Sequence, residues 1–142
     1  MSIQHIDVAY TAVATAENGR DGRVATDDGK LDVVVNPPKE MGGSGAGTNP
    51  EQLFAAGYSA CFQGALGVVA RAAKADIKGS TVTAQVGIGK AEAGGFGLEV
   101  ELITSIPNVD RATAEELVAK AHEVCPYSNA TRGNIKVTLT VA

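Results

Sequence analysis

The sequence has no tryptophan, only three tyrosines and three phenylalanines, and only two cysteines and two histidines in 142 residues. It also lacks an excess of positive charge: 12 Lys and Arg stand against 16 Asp and Glu, for a net charge of -4, with no basic block. Few aromatics and no basic face exclude a nucleic-acid surface. Two cysteines without a secretory signal exclude a disulfide framework and leave thiols that are either inert or redox-active. The opening MSIQHIDVAY has neither a positive n-region nor a long apolar h-region, and no run is expected to be both charge-free and long enough to span a bilayer. The expectation is a soluble, cytoplasmic chain. Its length suits a single domain, 1–142, burying roughly two thirds of its extended-chain surface.

What is present is organised around Thr48 to Lys74, TNPEQLFAAGYSACFQGALGVVARAAK. Thr48 and Asn49 are candidate N-caps and Pro50 suits the first helical position. The run then stays apolar with almost no charge until Arg71, so the helix must be covered on nearly all sides. In a chain this short, a partner subunit is expected to supply part of that cover.

Around this helix the pattern is strand-like. Ile6, Val8 and Tyr10 share one alternation parity and predict a half-buried strand over 6–15. Turn chemistry at 17–22 and 27–30 separates further strands at 23–26 and 31–35, an antiparallel meander. Residues 80–90 and 96–106 alternate around a glycine-bearing turn at 91–95 and predict a hairpin. Asp110 caps a second helix running to Val124, with Leu117, Ala121 and Val124 on one stripe, and Pro126 stops it. Ile135, Val137, Leu139 and Val141 form the last strand. The expected fold is α+β, antiparallel sheets packed on a long buried central helix.

Cys61 lies inside the apolar helix and Cys125 at the end of the second. Each can be a small core hydrophobe, or the two can approach to the distance a disulfide needs. Glu51 suits a helix first turn, and Arg20 suits a solvated turn. If Arg20 folds over the central helix, Glu51 is the nearest carboxylate to orient it, and an arginine near Cys61 favours the thiolate. Ten residues of unbroken helix separate Glu51 and Cys61 by about 15 Å, so they cannot share a site directly. A break near Gly57-Tyr58-Ser59 would set Cys61 near a helix N-terminus; otherwise Arg20 and Glu51 reach it from elsewhere, as across a dimer interface. Cys61, Cys125, His5 and His122 follow no recognised zinc spacing, and His122 reads as a residue favoured by a helix C-terminus. MGGSGAG at 41–47 lacks the Lys-Ser/Thr of a phosphate loop, and no serine sits in a nucleophile elbow.

The motifs TNPEQLFAAGYSACFQGAL at 48–66, GRDGR at 19–23 and CPYSNATRGNIKV at 125–137 resemble the organic hydroperoxide resistance (Ohr) branch of the Ohr/OsmC superfamily, and the resemblance spans essentially the whole chain. It implies an intertwined homodimer of α+β subunits with active sites at the interface, and a peroxidase acting on organic and lipid hydroperoxides. By position, Cys61 would be the peroxidatic and Cys125 the resolving cysteine, joined as a disulfide in the cycle. Arg20 would activate Cys61 and Glu51 would hold Arg20. No bound cofactor is implied; the reductant would be an external dithiol, a dihydrolipoyl group on a lipoylated protein. Asn18 replaces a glycine common in relatives, at a turn position that tolerates it. Phe54, Tyr58, Phe62 and Leu66 would line an apolar substrate entrance or serve as core. Rival readings are an OsmC-like peroxidase with different substrate preference, a redox sensor, or a non-catalytic module binding an apolar ligand.

Overall fold

The computed structural model describes residues 3–142, which divide into two compact units meeting in sequence at Pro50. The first unit is an antiparallel meander of β1 (Ala14–Glu17), β2 (Gly22–Thr26) and β3 (Asp32–Val35). Its first turn works as the sequence suggests: Asn18 and Gly19 both take positive φ, at 58° and 57°. Gly22 is required there, because a Cβ would collide with the Glu17 carbonyl oxygen. The predicted strand over 6–15 is corrected. The ladder begins at Ala14, opposite Thr26, with one more bond from the Asp27 N–H to the Val13 carbonyl at 3.1 Å, because β2 gives way there to the Asp27–Lys30 turn. Ile6, Val8 and Tyr10 stay 76%, 64% and 80% exposed, an apolar parity left outside the sheet. The glycine loop is a tightly folded connection: side chains at Gly43 and Gly47 would run into the Pro37 and Val34 backbones.

The second unit is built on α1 (Pro50–Ala73), which continues without interruption for 24 residues, so the expected break near Gly57 does not occur. One stripe of it, Tyr58, Phe62, Ala65, Leu66 and Ala70, is buried. The opposite positions Ala56, Ala60, Gly64 and Val68 are exposed, and a Cβ at Gly64 or Gly67 would meet nothing within 4 Å. Among the described residues of this unit, α1 is therefore not covered all round. The run 52–70 carries no charge, so, against expectation, α1 is long and apolar enough to cross a membrane, with a mean hydropathy of 1.5. The packed Tyr58-Phe62-Leu66 stripe marks it instead as a core helix.

The sheet in this unit has the order β4 (Thr81–Lys90), β5 (Phe96–Ser105), β6 (Val137–Val141). The hairpin and its turn fall where the alternation places them, but β6 runs parallel to β5, which corrects the wholly antiparallel expectation. Register puts like with like on the covered face: Val86, Val100 and Val137 lie in one row, and Ala84, Leu102 and Leu139 in the next. The helix α2 (Arg111–Val124) opens on Asp110, whose carboxylate accepts the Thr113 N–H at 2.8 Å. Pro126 ends α2 as expected and also starts α3 (Pro126–Thr131), which the sequence reading does not contain.

Candidate active site

Cys61 sits halfway along α1, and Cys125 is the residue shared by the end of α2 and the start of α3. Cys125 has β-type backbone angles, φ -66° and ψ 124°, because a residue before proline is pushed out of the helical region. That bend turns its thiol toward α1, where it donates to the Cys61 sulfur at 3.6 Å. Both thiols are free, Cys125 fully buried and Cys61 partly so. A disulfide needs about 2.05 Å between sulfurs, so closure would bring the two sulfurs about 1.5 Å closer.

Burial pushes the Cys61 thiol above its ordinary range; the Tyr127 backbone N–H, bonded to the sulfur, pulls it back down, and the neighbouring Cys125 adds to the rise. The Tyr127 N–H is a consequence of the Cys-Pro pair. Proline at N1 leaves the next amide as one of the unsatisfied donors of a helix start, and α3 aims it at Cys61. A helix N-terminus thus does serve Cys61, but it is that of α3 and not of a broken α1.

The other predicted residues are placed unevenly. Tyr58, Phe62 and Leu66 have no exposed surface and are core, which leaves Phe54 as the half-buried one of the four. Its ring lies 6.1 Å from that of Tyr127, and Tyr127 packs over Gly57, where a Cβ would come within 2.7 Å of its hydroxyl. Glu51 is in the first turn of α1, about 15 Å along the unbroken axis from Cys61. Arg20 lies in the exposed turn after β1, in the first unit. The other arginine of that motif, Arg23, is held by Asp32 in a bidentate pair at 2.7 and 2.6 Å. Asp21, beside Arg20, accepts a hydrogen bond from Asn36 at 2.7 Å, which pins the turn.

His122 lies in the last turn of α2, as the sequence reading places it. Burial and the Arg132 charge lower its pKa against a smaller pull from Glu123, which favours the neutral ring, and its Nδ1 lies 2.8 Å from the Ser128 hydroxyl. Among the described residues no group of three or more His, Cys, Asp or Glu converges as a metal site. A groove of about 1010 Å³ runs along the hairpin past Ile88, Phe96 and Ile135, and none of its lining residues is one of the predicted site residues.

The OsmC-like protein family model matches residues 42–140 of this chain. An organic hydroperoxide resistance protein of Xanthomonas axonopodis pv. citri is 56% identical over 95% of this chain and 96% of its own. The chain belongs to the Ohr/OsmC family. OhrB of Bacillus subtilis is 49% identical over 92% of this chain and 96% of its own. Among solved structures, an organic hydroperoxide resistance protein of Elizabethkingia anophelis superposes with a TM-score of 0.91, at 56% identity over 96% of this chain and 99% of that one. Membership at this level identifies the α+β fold as that of the Ohr/OsmC proteins.

Proposed function

We propose that this chain is a thiol-dependent peroxidase that reduces organic hydroperoxides to alcohols. The observation carrying the reading is the Cys61–Cys125 approach of 3.6 Å beneath the Tyr127 amide. The Cys61 thiolate attacks the outer peroxide oxygen, the O–O bond breaks, and the alkoxide leaves and takes up a proton as alcohol. Cys61 becomes a sulfenic acid. The Cys125 sulfur then attacks the Cys61 sulfur and expels hydroxide, which takes the Cys125 proton and departs as water. An external dithiol, of which a dihydrolipoyl group on a lipoylated protein is the natural biological example, reduces the disulfide, so no bound cofactor is needed. Phe54 and Tyr127 supply apolar surface near Cys61, which favours alkyl over hydrogen peroxide.

Burial pushes the Cys61 pKa up, the wrong direction for a peroxidatic thiol. A cation is needed, and we assign it to Arg20, oriented by Glu51. With α1 unbroken, Glu51 cannot reach Cys61 along its own helix. The reading therefore includes a homodimer, in which a second subunit covers the exposed Ala56-Ala60-Gly64 face and completes the site. A soluble, cytoplasmic setting, where thiols stay reduced, suits this cycle. Arg20→Ala should shift the pH midpoint of Cys61 alkylation upward by about 1 to 2 units. Reaction rises with pH through that midpoint, so the variant is slowest near neutrality and recovers at high pH; an unmoved profile assigns Arg20 to the turn alone. With a dithiol present, consumption of an alkyl hydroperoxide should exceed that of hydrogen peroxide by at least about tenfold. Equal rates, or retained function without Cys61, would favour a sensor or ligand-binding module.

A further inference from the structure

A helix of six residues cannot hold its own N-terminus against a sulfur, so something must fix α3. The fully buried Ser128 hydroxyl lies 2.8 Å from His122 Nδ1 on α2 and 2.8 Å from Tyr58 Oη on α1. Tyr58 Oη is also 3.0 Å from Thr131 Oγ1, which in turn lies 3.3 Å from the Ser128 carbonyl oxygen. One direction uses all four contacts: His122 Nδ1–H donates to Ser128, Ser128 to Tyr58, Tyr58 to Thr131, and Thr131 to the Ser128 carbonyl. Each of the three hydroxyls in this network then gives one bond and receives one.

The placement of this chain of bonds is as informative as its closure. Tyr58 precedes Cys61 by one helical turn, and His122 and Ser128 flank Cys125 by three residues on either side. Three helices meet in the network, and both cysteines hang from its corners. Arg132 reinforces it by donating to the His122 carbonyl oxygen at 2.8 Å. We propose that Tyr58, Ser128 and His122 are positioning residues for the thiol pair, holding the Tyr127 N–H on Cys61 and the Cys125 sulfur within closing distance. The proposal rests on the reading of Cys61 and Cys125 as a redox pair and adds to it the device that sets their geometry. Tyr58, a candidate for the substrate entrance by sequence, acts instead through its hydroxyl from within the core.

The test compares reduced wild type with Tyr58→Phe, Ser128→Ala and, as a control, Leu117→Ala, which damages the same core without touching the network. Two readouts are taken on each: the pH midpoint of Cys61 alkylation, and the rate of disulfide closure after one equivalent of alkyl hydroperoxide. Tyr58→Phe and Ser128→Ala should slow closure by about tenfold, the scale of one lost buried hydrogen bond. They should also raise the alkylation midpoint by about half a pH unit. Leu117→Ala should lower thermal stability at least as much and move neither readout. If Ser128→Ala does not fold, Tyr58→Phe, which removes one oxygen and keeps the ring, carries the test. Unchanged closure and alkylation in a folded Tyr58→Phe, or equal effects in Leu117→Ala, would overturn the proposal. Failure of wild type itself to form the disulfide would instead overturn the redox reading, so the two failures are distinguishable.

Discussion

Cys61→Ser should abolish alkyl hydroperoxide reduction, a loss on the order of 10³-fold or more, while the protein still folds. The serine hydroxyl is not ionised at neutral pH and its oxygen cannot pass through a sulfenic state, so neither attack nor storage of the oxidising equivalent survives. The fold should tolerate the change because Cys61 is only partly buried and the α1 stripe that carries the core is Tyr58, Phe62, Ala65 and Leu66. Peroxide consumption measured beside a thermal melt separates the two effects. Activity within a few-fold of wild type, on a folded variant, would remove Cys61 from the chemistry.

Cys125→Ser should separate the half-reactions. The first equivalent of hydroperoxide is still consumed, because Cys61 and the Tyr127 amide remain, but no disulfide can follow. Excess peroxide should then carry Cys61 on to the sulfinic acid, visible as a gain of one oxygen and then two in the intact mass. Turnover with an external dithiol should fall on the order of tenfold or more, since a thiol held 3.6 Å away is replaced by one that must diffuse in. Normal cycling without over-oxidation would mean that Cys125 is a core residue that happens to lie near.

Much of this arrangement was legible from local chemistry. The hairpin around Ala91–Gly95, the Asp110 cap and the stop at Pro126 each follow from a turn, a capping carboxylate or a missing amide hydrogen. The two cysteines stood out through rarity and through the motifs around them. What stayed hidden depends on non-local pairing. The parity of Ile6, Val8 and Tyr10 names a face but not what covers it, and the strand stops where β2 stops. The direction of β6 is invisible to alternation, which looks the same in parallel and antiparallel neighbours. A break in α1 is what local reasoning offers to bring Glu51 and Cys61 together, with a helix N-terminus at the sulfur as a by-product; α1 is unbroken, and the amide near Cys61 comes from α3, which starts at the same proline that stops α2. Tyr127 was reachable in principle, since proline at a helix start exposes the following amide. Ser128 and His122 were not, because their roles exist only once three helices converge.

The proposed function makes Cys61 and Cys125 a redox pair tuned to organic hydroperoxides. The most direct measurement adds one equivalent of an alkyl hydroperoxide to the reduced wild-type protein, without reductant, and follows intact mass and peptide map beside a hydrogen peroxide control. Rapid loss of two hydrogens is expected, mapped to a Cys61–Cys125 bridge and faster with the organic peroxide. An unchanged mass with both oxidants, or oxidation that never links the two cysteines, would contradict it.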